Sequence, residues 1–298
     1  MAGLGNNIDT NFILWSKSDG YTQINNQQYL MWYFSDSMNS MGFQNDRYFP
    51  SKHLETIEGQ PVTLQFYNFS PMLHTIHLHG MDVNQINDGV PQTSFAIIPG
   101  NWHTYEFIAP HAGTYHYHCH VDSVVHYHRG MSGAIIVRPP DSSTTQAWTN
   151  GPTFQEEVLW HLHTYDSTWK DISFANPVNA RHRPDLFFLN GKQTPEAQID
   201  PFTRVTLAAG ETAYIRVLNS CYQWGRITLG GLPFSVVASD GRPMNQPPTV
   251  TEWEIGPGER YDLLLTSPTP LSAPATIQYL DDYTGAILGE AATTINII

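Results

Sequence analysis

The feature that most constrains this chain is a two-residue rhythm in its apolar residues. Short runs such as Pro61-Val-Thr-Leu-Gln-Phe-Tyr67, Trp102-His-Thr-Tyr-Glu-Phe-Ile108 and Ala134-Ile-Ile-Val137 are separated by Gly, Pro and Asn turns. A second set follows, with Arg204-Val-Thr-Leu207, Ala213-Tyr-Ile-Arg-Val-Leu218 and Tyr261-Asp-Leu-Leu-Leu265. Alternation puts successive side chains on opposite faces of a strand, and no long stretch sustains the 3.6-residue period of a helix. With 22 Gly and 21 Pro as punctuation, the expectation is an all-β protein of Greek-key β-barrel or sandwich domains. A length of 298 residues, at roughly 150 per domain, suggests two of them. The polar, Pro-bounded segment Arg138-Pro-Pro-Asp-Ser-Ser-Thr-Thr-Gln-Ala-Trp-Thr-Asn-Gly-Pro152 reads as the linker. The boundary falls near residue 145, giving domains 1–145 and 146–298. No short tandem repeat is evident.

Charge narrows the function. The chain has 14 Lys and Arg against 27 Asp and Glu, a net charge of −13. A nucleic-acid binder needs clustered cations to displace phosphate counterions, and docking on anionic membranes needs them too. Neither partner is expected. No uninterrupted apolar run approaches the roughly 20 residues of a spanning helix. The 2 Cys cannot build a disulfide-rich scaffold.

Histidine is the anomaly. There are 14, and eleven lie between His53 and His128. They form two compact patterns: His74-Thr-Ile-His77-Leu-His79-Gly80, and His116-Tyr-His118-Cys119-His120 followed by His126, His128 and Met131. Strand parity sorts them. His118 and His120 share a face, as do His77 and His79, so two such strands side by side would aim four imidazoles at one volume. Cys119 faces the other way. His74, His126 and Met131 are placed to join it from loops. One thiolate, two imidazoles and a thioether form the ligand set of a blue-copper site. A structural zinc site would more often hold two or more Cys. Clustered imidazoles suit copper as well, near the top of the Irving–Williams order.

These residues resemble the copper motifs of the multicopper oxidases. The likeness rests on His74-x-x-His77-x-His79-Gly80, on His118-Cys119-His120 with His126 and Met131, and on the intervening Asp88-Gly-Val-Pro91-Gln92-Thr93, Pro99-Gly100 and Gly113-Thr-Tyr-His-Tyr117. It is specific from about residue 56 to 138. In the second half, Tyr214-Ile-Arg-Val-Leu-Asn-Ser220 and Val236-Val-Ala-Ser-Asp-Gly241 look like a cupredoxin domain without its own copper. The resemblance implies two cupredoxin-like domains, as in two-domain multicopper oxidases and copper nitrite reductases, which are usually homotrimers. It further implies type 1 copper on His74, Cys119, His126 and Met131, and a type 2/type 3 centre on His77, His79, His118 and His120. Electrons would enter from a small-molecule or metal-ion donor, and dioxygen would be the acceptor. Asp88 matches the family's proton-relay acid, and it also reads as a turn residue before Gly89. The resemblance points to a periplasmic or secreted location, although the N-terminus, MAGLGNNIDTNF, has neither the basic start nor the apolar stretch of a secretory signal.

The departures define the open questions. The interval from Cys119 to His126 is two residues longer than the family's usual one and shorter than that of the nitrite reductases. His128 is thus a rival to His126, but only the His126-to-Met131 interval fits. His116 and His128 are extra, and His116, on the face of His118, reads as lying beside the centre or solvated at the sheet end. His103 and His111 read as structural residues in loops, and Cys221 as a buried small hydrophobe. A full trinuclear cluster would draw two more His-x-His pairs from the second domain of a neighbouring subunit. That domain offers only His161-Leu-His163 and His182, and Arg226-Ile-Thr-Leu-Gly-Gly-Leu-Pro233 has no His. The second centre is therefore expected to be incomplete unless His116 or His128 joins it. This keeps open nitrite reduction at one type 2 copper, or a copper-binding electron-transfer role without turnover.

Overall fold

The computed structural model describes residues 4–5, 7–43, 47–173 and 181–298. Eight strands precede residue 139: β1 (Asn11–Ile24), β2 (Gln27–Ser35), β3 (Leu54–Ile57), β4 (Pro61–Asn68), β5 (His77–His79), β6 (Trp102–Ile108), β7 (Gly113–His118) and β8 (Ser132–Arg138). They form two four-stranded sheets, ordered β2-β1-β4-β6 and β3-β8-β7-β5. β1 runs parallel to β4 and β3 parallel to β8, so the chain crosses between sheets as a Greek key requires. The alternation seen in the sequence decides which side faces in. Val62, Leu64 and Phe66 of β4 are buried while their neighbours are not, and Tyr105 and Phe107 of β6 repeat the pattern. One six-residue helix, α1 (Ser123–His128), interrupts the strands.

The second half holds β9 (Glu156–Tyr165), β10 (Leu186–Leu189), the one-turn α2 (Glu196–Ile199), β11 (Val205–Leu207), β12 (Thr212–Asn219), β13 (Trp224–Leu229), β14 (Phe234–Ser239), β15 (Arg242–Pro243), β16 (Thr249–Val250), β17 (Glu252–Ile255), β18 (Arg260–Thr266), β19 (Leu271–Leu280) and β20 (Ile287–Ile297). One sheet runs β10-β9-β12-β18-β14-β15, with β16 on β14, and the other runs β11-β20-β19-β13-β17. All six runs singled out in the sequence fall on strands, with Arg204 just before the start of β11. Each half closes its own core, one around Leu64, Phe66, Tyr117 and Val137, the other around Trp160, Ile215, Leu263 and Ile277. No helix among the described residues is long and apolar enough to cross a membrane.

β7 is where the halves meet. All six of its residues are buried. Tyr115 and Tyr117 enter the first core. The opposite face carries Thr114, whose hydroxyl donates to Asp262 of β18 at 2.6 Å and accepts from Arg216 of β12 at 2.9 Å. Around that contact runs a buried ladder of alternating charge. Arg138 donates to Glu55 at 2.6 Å and to Glu157 at 2.8 Å, and Arg216 donates to the same Glu157 oxygen at 2.7 Å. The Tyr214 hydroxyl closes it on Asp262 at 2.8 Å. Buried charges persist only when paired and hydrogen-bonded, which these are.

Candidate metal centres

The Thr114 face of β7 also bears His116 and His118, and β5 pairs with it in the register His77↔His118 and His79↔His116. Parity thus brings together three of the four imidazoles that the sequence suggested. His77, His79 and His118 bring one ring nitrogen each within 4.8 Å of the others. The second nitrogen of two rings is fixed. His118 Nδ1 donates to the Cys119 carbonyl at 2.9 Å, and His77 Nδ1 donates to the Asp88 carbonyl at 2.7 Å. A backbone acceptor on one nitrogen sets the tautomer and frees the lone pair of the other, as it does for metal-bound histidines. His79 Nδ1 faces His118 Nε2 at 3.3 Å. Burial holds His118 near a pKa of about 3 and His79 near about 4, the latter also by the Arg260 charge. These imidazoles are neutral and ready to ligate at neutral pH.

His120 lies one residue past Cys119, beyond the end of β7. Its backbone N–H donates to Thr75, its ring stands 5.3 Å from His77 and 5.7 Å from His118, and its Nδ1 is buried without a partner. It flanks the three-residue set rather than completing it. Asp88 approaches His77, with Oδ1 3.3 Å from Nδ1, and Gly89 beside it has φ +69°. A Cβ there would stand 1.9 Å from the Ile76 carbonyl, so the turn that carries Asp88 requires glycine.

Cys119 sits on the other side, wholly buried in the first core. His126 Nδ1 is 3.1 Å and His74 Nδ1 3.4 Å from its sulfur. His74 is held from behind by Ser70, 2.6 Å from Nε2. His126 comes from α1. Met131 is fully buried, and its backbone spans both partners: its carbonyl accepts from Cys119 N–H and its N–H donates to the His126 carbonyl, each at 3.1 Å. Burial pushes the Cys119 thiol up to about 12 and His126 down to about 4. A thiol and two neutral imidazoles converging through Nδ1, with a thioether residue tied to both, form a type 1-like copper site. Trp32 lies edge-to-face on His126, with ring centroids 5.0 Å apart.

Several expectations change. His116 is not solvated at the sheet end: it has no exposed surface. His103 is in β6, between the rings of Phe95 and Tyr105, rather than in a loop. His111 stays in a loop, its Nδ1 donating to the Ala112 carbonyl at 2.7 Å. Cys221 is buried as expected. His161 and His163 face into their own chain, each 1% exposed. His161 Nε2 contacts the hydroxyls of Ser132 and Ser220, and His163 lies against the carbonyls of Ser220 and His128. His128 turns away from Cys119 and meets His182, ring nitrogens 3.3 Å apart. Ser70, Trp32 and Thr75 carried no sequence signal, because a hydroxyl or indole 4, 94 or 45 residues from its histidine has no telling spacing.

With that geometry in place, the comparisons are unambiguous about kinship. Two family models, each described as multicopper oxidase, match residues 26–142 and 158–273. Together they span more than half of the chain, and the chain belongs to the multicopper oxidases. Its fold, two cupredoxin domains, is similar to that of the blue copper oxidase from Nitrosomonas europaea, with a TM-score of 0.78 and 27% identity over 96% of this chain and 85% of that one. Among curated proteins it is 28% identical over 240 residues to laccase-15 of Oryza sativa subsp. japonica (75% of this chain, 38% of that protein). It is likewise 28% identical over 252 residues to copper resistance protein A of Escherichia coli (72% of this chain, 41% of that protein). The chain thus spans less than half the length of these curated relatives.

Proposed function

We propose that the chain is a copper-dependent oxidoreductase of the laccase-like type, taking electrons from a small molecule or metal ion at the Cys119 site and reducing dioxygen at the histidine centre. The observation that carries this reading is the placement of both sets of donors on one peptide, with Cys119 facing one way and His118 the other. Bound copper would supply one-electron chemistry at the thiolate and a redox-active Lewis acid at the imidazoles. The chain's own residues do the rest. The His118 Nδ1–H···O=C Cys119 bond adds a second short link between the two sites. Asp88, against His77 and partly exposed, is suited to take up protons from solvent and deliver them to that centre. We place the domain boundary near residue 145, in the stretch between β8 and β9.

Reduction of nitrite at a single type 2 copper is the second reading, and one observation favours it: among the described residues, the ring nitrogens that lie within 4.8 Å of one another are those of three imidazoles, His77, His79 and His118. A homotrimer rests on resemblance alone, since His161, His163 and His182 are buried in the chain that bears them. Copper analysis with electron paramagnetic resonance decides the main question. Copper beyond one ion per chain, with oxygen uptake in the presence of a phenol or ferrous iron, is expected. Nitrite turnover without oxygen uptake would favour the second reading, and a single blue copper with neither would leave electron transfer alone.

A further inference from the structure

We propose that His116 is a copper ligand of the histidine centre, an imidazole that the first domain adds to His77, His79 and His118. The inference rests on the reading of that centre as copper-binding, and goes beyond it by assigning a residue outside the family's motif.

His116 has no exposed surface, and neither of its ring nitrogens has a hydrogen-bond partner. A neutral imidazole carries one N–H and one lone pair, and burying both unserved is costly. The ring is placed by β-pairing, not by accident of a loop: it is directly opposite His79 and two residues before His118 on the same face. Its centroid is 4.9 Å from His118 and 5.6 Å from His79. The three converging histidines stand 5.1 to 5.5 Å from one another. By ring centroid His116 is about as close to two of them as they are to each other, while its nitrogens stand outside the set that lies within 4.8 Å.

The other neighbours do not serve it. His161 is 6.2 Å away and perpendicular, with its Nε2 already between two serine hydroxyls. The Tyr127 ring is 5.8 Å away. What remains is a neutral ring with an unsatisfied lone pair beside converging lone pairs, which is the chemistry of a Lewis-acid ligand. Gly258, in the turn just before β18, approaches His79 so closely that a Cβ would stand 3.2 Å from its Cε1. The second domain thus closes over this side of the centre and leaves the ligand to the first.

The test compares wild type with His116→Phe, which keeps the aromatic volume, and His116→Gln, which keeps a hydrogen-bonding head. Each is titrated with copper and read by metal content, by the blue charge-transfer band and by nitrogen couplings of the non-blue copper. The blue band reports that the protein is folded. With the band intact, the non-blue copper should bind at least about tenfold more weakly in both variants and lose one nitrogen coupling. Unchanged affinity and couplings would overturn the proposal. If both variants fail to fold, the wild-type protein still decides it: a crystal structure of the copper-loaded form showing His116 bonded to water, not copper, overturns it. Wild type that takes up only the blue copper would instead overturn the reading of the centre itself.

Discussion

Cys119 shows at the scale of one residue how burial prepares a metal site. Its thiol, pushed up to about 12, is protonated at neutral pH, while His126, pushed down to about 4, is not. Copper binds the thiolate and the neutral imidazoles, so between about pH 5 and about 9 each ion should release one proton, all of it from Cys119. Apparent affinity should then rise about tenfold per pH unit across that window, which calorimetry in buffers of different ionisation enthalpy can measure. Ser70 is the second test at this scale. Its hydroxyl is 2.6 Å from His74 Nε2. Ser70→Ala should weaken blue-copper binding by about 10- to 100-fold and lower the stability of the metal-free protein by about 1–3 kcal/mol, because it leaves His74 Nε2 and the Met72 N–H without their partner.

At the scale of elements, the site is a consequence of register. Slide β5 against β7 by one residue and Leu78, not His77 and His79, would face His116 and His118. The turn at Gly89 helps to fix that register, since it brings the Asp88 carbonyl to His77. Gly89→Ala should therefore cost more than the about 1 kcal/mol of an ordinary positive-φ substitution, given the 1.9 Å approach to Ile76. Denaturant unfolding would show it, accompanied by weakened non-blue copper binding. This level also marks what the sequence could and could not reveal. The alternation in β4, β6 and β12 and the parity of His77, His79 and His118 were legible because both follow from a period of two. The helix α1 was not, since six residues are too few to display a period. Nor was the burial of His116, which depends on β12 and β18 packing over β7 from the other domain. The inward turn of His161 and His163 is set by Ser132 and Ser220, which no spacing connects to them.

The whole molecule is held by the charge ladder from Glu55 to Asp262, in which Glu55 and Arg138 come from the first half and Glu157, Arg216 and Asp262 from the second. Removing one rung strands its partners: Arg216→Leu should cost about 3–5 kcal/mol. Calorimetry should show one transition for wild type and two for this variant, as the halves uncouple. Glu55 sets the acid limit. Burial opposes its charge, but the His53 contact and Arg138 prevail and hold it at about 2, against an ordinary 4.5. A carboxylate lowered in the fold contributes fully above its unfolded value, and that contribution fades as pH falls from about 4.5 to about 2. It amounts to about 3 kcal/mol. Glu55→Gln should flatten the stability profile over that window, measured by urea unfolding. Trp32, set against His126, has a different kind of consequence. With His74 and Cys119 fully enclosed, His126 only 3% exposed and Trp32 itself buried, a reductant at the proposed entry site would find almost no ligand surface to grasp, and electrons would have to cross protein such as this indole. Reductants of equal potential but unrelated shape would then be oxidised at similar rates, the molecule sorting them by driving force, not by fit.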